Sequence, residues 1–174
     1  VHLSEVHEHI ALLRAVHATA GLYMDNPTLR RAIRRYASWA RTQAANPRSP
    51  AELAVARTAP PIDIAWCWHV HRLSPRTYIR ESRMLFGGVV TPAKGVGFAH
   101  VPLGPDEEVS GAPEVSGDAL LAFEDALVDA AGRHASFLWQ VSSAAYNDDA
   151  FLRAAIHRYT HFLNAVSYTH LRAH

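Results

Sequence analysis

The chain is 174 residues long and 49% apolar, enough to bury the core of one domain, or of one and a half. Its formal net charge is +1, which argues against a partner held by bulk charge. No apolar run reaches the roughly 18 residues a membrane span needs, and no basic stretch leading into a short apolar one marks a leader.

Composition also bears on compartment and partner. The single cysteine, Cys67, excludes an internal disulfide framework and suits a reducing compartment, so a cytoplasmic location is expected. Lys94 is the one lysine among seventeen cations; the rest are arginines. Arginine is the better fork for phosphate. A GC-rich coding bias explains Arg and Ala together more simply, so nucleic acid is not the expected partner. The chain starts at Val1, and an upstream part is expected.

The first predicted helix runs from Leu3 to Ala20, with Leu3, Val6, Ile10, Leu13 and Val16 at helical spacing and Gly21 as its end. Asn26-Pro27 reads as N-cap and first residue of a second helix reaching about Ala45. Leu29, Ile33, Tyr36, Trp39 and Ala40 form its apolar face; Arg30, Arg31, Arg34, Arg35 and Arg41 lie opposite, as a solvated face. Ser49-Pro50-Ala51-Glu52 matches a capping box for a short helix. Pro60-Pro61 opens the densest segment, and Ser74-Pro75 starts another helix with Tyr78, Ile79, Met84 and Leu85 as its buried side. From Gly87 to Gly117 helical periodicity gives way to a long Gly/Pro-rich loop with an extended piece near Val96 to Val101. Lys94 precedes its glycine, so the P-loop order is absent. Helix resumes near Asp118, with Leu120, Phe123, Leu127, Phe137, Leu138 and Val141 as core candidates and Gly132 as a divider. Asn147-Asp148 caps a last helix carrying Phe151, Ala155, Tyr159 and Phe162.

Two of these helices resemble each other. LRRAIRRYASW from Leu29 aligns without gaps on LRAAIHRYTHF from Leu152, with six of eleven positions identical. Tyr23 falls on Tyr146 at the same offset, which points to an internal duplication. The stretch SYTHLRAH from Ser167 breaks the apolar stripe. Residues 1–166 are therefore read as one helical domain, incomplete at its C-terminus, and 167–174 as a non-native tail.

The segment from Pro60 to Pro75 contains Asp63, Trp66, Trp68, His69 and His71. It resembles the signature of the glycine-rich domain-containing protein-like family, known mainly from plants, fungi and bacteria. That signature is Pro-Pro, a carboxylate three residues before a tryptophan, then Trp-His-x-His-x-Leu-x-Pro. Pro60, Pro61, Asp63, Trp66, Trp68, His69, His71, Leu73 and Pro75 meet it. The Ala32 to Trp39 helix resembles the family's Ala-Ile-x-Arg-Tyr stretch. Ser136-Phe137, Gln140-Val141 and the Asn-Asp turn before Phe151 resemble a later block. The resemblance covers Val6 to Asn164 and implies a second Asp-x-x-Trp-His-x-His copy beyond the later Arg-Tyr helix. It implies no established catalytic mechanism. The glycine-rich tail and RNA-recognition domain of some plant members are not in this sequence, so RNA roles do not carry over.

On a helix, Asp63 lies beside Trp66 and Cys67, and Cys67 beside His71. His69 and His71 diverge by about 200° at 3.6 residues per turn, so one metal does not easily take both from a regular helix. Neither metal nor cofactor is expected. Asp63 is expected to complement the helix N-terminus and to accept an indole N–H. The tryptophans are expected to fill the core, the histidines to donate to backbone carbonyls or to the second motif copy, and Cys67 to be a buried, inert thiol. His157 and His161 have metal-ligand spacing but sit beside polar Arg153, and read as surface histidines. His7-Glu8-His9 repeats the i, i+2 defect.

The expected fold is all-α, about six helices with one long irregular loop. The expected function is a non-enzymatic interaction module of unknown partner, with protein favoured and membrane excluded. The competing readings are a metal-dependent enzyme using Asp63, His69 and His71, and an RNA-associated protein.

Overall fold

The computed structural model describes residues 2–45, 59–91, 97–99 and 117–171, with side chains to residue 166. Among these residues there are six α-helices: α1 (Leu3–His17), α2 (Pro27–Ala45), α3 (Ile62–Arg72), α4 (Pro75–Phe86), α5 (Gly117–Leu138) and α6 (Asp149–Leu171). The fold is all-α. The extended piece expected near Val96 is represented by one parallel bridge, between Pro61 and Ala99. The Ser49-Pro50-Ala51-Glu52 capping box and most of the Gly/Pro-rich stretch lie outside the described residues. No described helix is long and apolar enough to cross a membrane.

Local chemistry sets the boundaries. The Asn26 side chain accepts the Leu29 N–H at 3.0 Å and starts α2 as a side-chain N-cap. Asp148 does the same for the Ala150 N–H at 2.8 Å, at the head of α6. Gly87, with φ of 80°, ends α4 in the left-handed region that glycine enters without cost. Gly132 does not divide α5, which runs unbroken through it.

Helix α3 sits in the middle and packs on α1, α2, α4 and α5. Leu13, Val16, Leu29, Ile33, Tyr36, Trp66, Leu127 and Leu138 form one continuous core. Each such side chain contributes roughly 1.5–3 kcal/mol by leaving water. Two expectations fail here, the buried side of α4 and the solvated arginine face of α2. In α4, Ile79 and Met84 are 43% and 66% exposed; the side that meets α2 and α3 is Tyr78, Ser82, Leu85 and Phe86. Buried Ser82 occupies the place an aliphatic residue would take, and rotates the covered stripe away from Met84. In α6, Phe151, Tyr159 and Phe162 are exposed, and among its described side chains Leu152 alone is fully covered. That helix is tied to α1 near its start, by Arg14 to the Asn147 side chain at 2.7 Å and His7 to Asp149 at 3.0 Å. The arginines of α2, expected in solvent, mostly find partners. Arg30 and Arg34 converge on Glu124 of α5, a carboxylate only 2% exposed, and Arg41 donates to the Leu85 carbonyl. Glu124 stands in the apolar stripe between Leu120 and Leu127, which is the signal that it is buried and needs a cation.

Candidate functional site

The motif helix begins where two prolines force an extended entry. Pro61 has φ of −52° and ψ of 153° and serves as N-cap. The Pro60 carbonyl accepts the Ala99 N–H at 2.9 Å, and the Ile62 N–H donates to the Ala99 carbonyl at 3.2 Å, so a distant strand-like segment pins the entry.

From there each motif side chain reaches a different neighbour. Asp63, buried in the first turn, pairs with Arg35 of α2 at 2.6 Å. It does not take the Trp66 indole N–H, which has no acceptor among the described residues. A carboxylate gains more from a guanidinium than from a neutral donor, and Arg35 lies within reach. Trp66 is fully buried and stacks on two imidazoles, His69 at 5.8 Å and His134 of α5 at 5.4 Å. Trp68 donates to the Tyr78 hydroxyl at 2.9 Å and packs on Trp39 at 4.9 Å, with the Arg72 guanidinium 5.5 Å from its ring. Cys67 is buried and its thiol is pushed up by desolvation, then by the Asp63 charge, which suits an inert core residue.

His69 and His71 part as helical geometry requires. His71 is buried. Its Nδ1 lies 2.9 Å from the Tyr36 hydroxyl and its Nε2 3.2 Å from Glu81. One assignment satisfies both contacts: Tyr36 O–H donates to Nδ1, and Nε2–H donates to the Glu81 carboxylate. The expected backbone carbonyl is not its partner. Burial lowers the His71 pKa, with Glu81 opposing, and burial raises that of Tyr36. His69 turns the other way. Its Nε2 is 3.2 Å from His134 Nε2, and His9 of α1 meets its ring edge-on at 4.7 Å. Burial first, then His9, His134 and Arg72, push the His69 pKa down to about 3. His9 and His134 are lowered too, chiefly by desolvation.

Asp63, His69 and His71 therefore face three different groups. Sequence reasoning did not find Arg35, Tyr36, Glu81, His9 or His134 as their partners. For His134 a signal exists: it continues the stripe Leu127, Ala131, Leu138 on the covered side of α5. His7 and His9 diverge as expected, His7 toward Asp149 and His9 toward His69. His157 and His161 lie exposed on α6 with their Nε2 atoms 3.2 Å apart.

Fold and site together define an all-α domain whose central helix uses Asp63, Trp66, Trp68, His69 and His71 to bind its neighbours. The profile of the glycine-rich domain-containing protein-like family matches residues 106–173. Over 92% of its length the chain is 32% identical to glycine-rich domain-containing protein 2 of Arabidopsis thaliana. It is 30% identical to glycine-rich domain-containing protein 1 of the same plant, again over 92% of its length. The chain belongs to the glycine-rich domain-containing protein-like family. It spans 23% and 22% of the length of those two relatives. No solved structure matches it.

Proposed function

We propose that this domain is a non-enzymatic interaction module of the cytoplasm whose partner is a protein. The observation that carries the reading is how the motif is spent. Asp63 is closed by Arg35, and His71 by Tyr36 and Glu81, so two of the three groups an enzyme of Asp63, His69 and His71 would need already hold helices together. The arginines of α2 that would hold nucleic-acid phosphates are engaged by Asp25, Glu124, Asp125 and Asp63. Contact area is offered by α6, where Tyr159 and Phe162 are 50% and 60% exposed, and aromatic side chains dominate protein contacts.

The test is site-specific photocrosslinking in cells with the full-length protein. A photoreactive side chain at Phe162 is expected to trap a discrete protein adduct. The same group at Arg133, exposed on α5, is expected to trap none. Equal labelling at the two positions, or none at either, overturns the proposal.

A further inference from the structure

We propose that His9, His69 and His134 form a binding site for one divalent transition-metal ion of the zinc class, clamping α1, α3 and α5 together. This goes beyond the interaction reading and does not depend on it. The three histidines are far apart in the chain and come from three helices, yet their rings meet: His9 with His69 at 4.7 Å, and His69 with His134 at 5.2 Å. The Nε2 atoms of His69 and His134 stand 3.2 Å apart. Two nitrogens at about 2.0–2.1 Å from one zinc ion, at a tetrahedral angle, are roughly 3.4 Å apart. Both rings stack on the Trp66 indole, with interplanar angles of 25° and 23°, so a buried aromatic wall fixes their orientation.

The pair is preformed and the third ligand is close. Among the described residues no three ligand-type side chains already surround one point. His9 lies at the exposed rim with its ring 4.7 Å from that of His69, and metal binding requires its imidazole to turn toward the pair. Beside the cluster a cavity of about 220 Å³, lined by Glu5, Glu8, His9, Trp68, His69 and Arg72 among others, leaves room for a water or a rim carboxylate as fourth ligand. Arg72 works against a cation there, and the two glutamates work for it. The divergence of His69 and His71 is not an obstacle, because the second ligand comes from α5 and not from the motif.

Cobalt(II) and zinc(II) titrations of the full chain test this, in a His157→Ala/His161→Ala background that removes the exposed α6 pair. One equivalent of cobalt is expected, with visible d–d absorption of a low-coordinate nitrogen site, displaced by zinc. His69→Ala and His134→Ala should each weaken binding by tenfold or more, since even outer-shell losses cost about 10–100-fold. His9→Ala, at the rim, should keep the circular dichroism spectrum and still weaken binding. Arg72→Gln should tighten it. No stoichiometric binding in that background, or affinity indifferent to His9, His69 and His134, overturns the proposal and leaves the 3.2 Å contact as a plain imidazole hydrogen bond.

Discussion

Helices α2 and α6 carry the same eleven-residue pattern and meet different fates. Leu29 and Leu152, in register, are both buried, at 1% and 3% exposure. One turn later the two diverge: Ile33 is fully buried and Ile156 only half-buried. By Tyr36 and Tyr159 the contrast is complete, with 0% exposure against 50%. The reason is what lies across from each. Helix α2 is covered by α3, α4 and α5, whereas the main neighbours of α6 are α1 and the turn before it. An apolar stripe at helical spacing states which face of a helix wants cover. It says nothing of whether cover is present.

The largest effect that separates the two copies is a cavity. Ile33→Ala is expected to cost about 2–5 kcal/mol, the range for truncating a large aliphatic side chain in a packed core. Ile156→Ala, half-solvated, should cost well under half of that. Urea unfolding of the two variants measures the difference. Equal losses would mean that α6 is as well covered as α2.

Much of the fold was legible for the same reason that the covering of α6 was not. Asn26-Pro27 and Asn147-Asp148 announce helix starts through side-chain chemistry that is local, and both fall where expected. The face of α2 was legible because its apolar residues and its cover agree. Partners were not legible. Arg30 and Arg34 read as solvated because nothing near them in sequence shows Glu124, some 90 residues away. Asp63 read as a cap and indole acceptor because the guanidinium it pairs with is on another helix. The His69/His71 divergence followed from helical geometry alone, but the identity of His134 and Tyr36 needed the tertiary structure.

Charge separates the copies next. Arg35 and Arg158 are equivalent in the alignment, and Arg35 closes Asp63. Arg35→Gln strands a buried carboxylate and is expected to cost about 3 kcal/mol, the lower end for losing one partner of a buried pair, because Arg35 itself retains some exposure. Arg158→Gln, on the exposed part of α6, should leave stability unchanged. Asp63→Asn in the Arg35→Gln background should recover part of the loss, since a neutral amide is less costly to bury than an unpaired charge. A thermal melt series reads all three. An Arg35→Gln variant as stable as the wild type would show that Asp63 is not held by that pair.

The finest comparison lies in a single oxygen. Tyr36 and Tyr159 occupy the same place in the repeat, but only the Tyr36 hydroxyl meets a buried imidazole, at 2.9 Å from His71 Nδ1. Tyr36→Phe keeps the ring, and with it the packing on Phe86 at 5.7 Å. What it removes is the hydrogen bond, leaving Nδ1 in the interior without its donor. The expected cost is about 1–3 kcal/mol, the penalty of an unsatisfied buried polar atom. Tyr159→Phe, at an exposed position, should stay within about 0.5 kcal/mol of wild type. A double-mutant cycle with His71→Phe isolates the contact, because once the imidazole is gone the Tyr36 hydroxyl has lost that partner and its removal should cost little. Strong coupling between Tyr36 and His71, with none between Tyr159 and His71, is the expected result. Zero coupling in the first pair would reduce the Tyr36–His71 contact to mere proximity, and the difference between the two copies to burial of apolar surface alone.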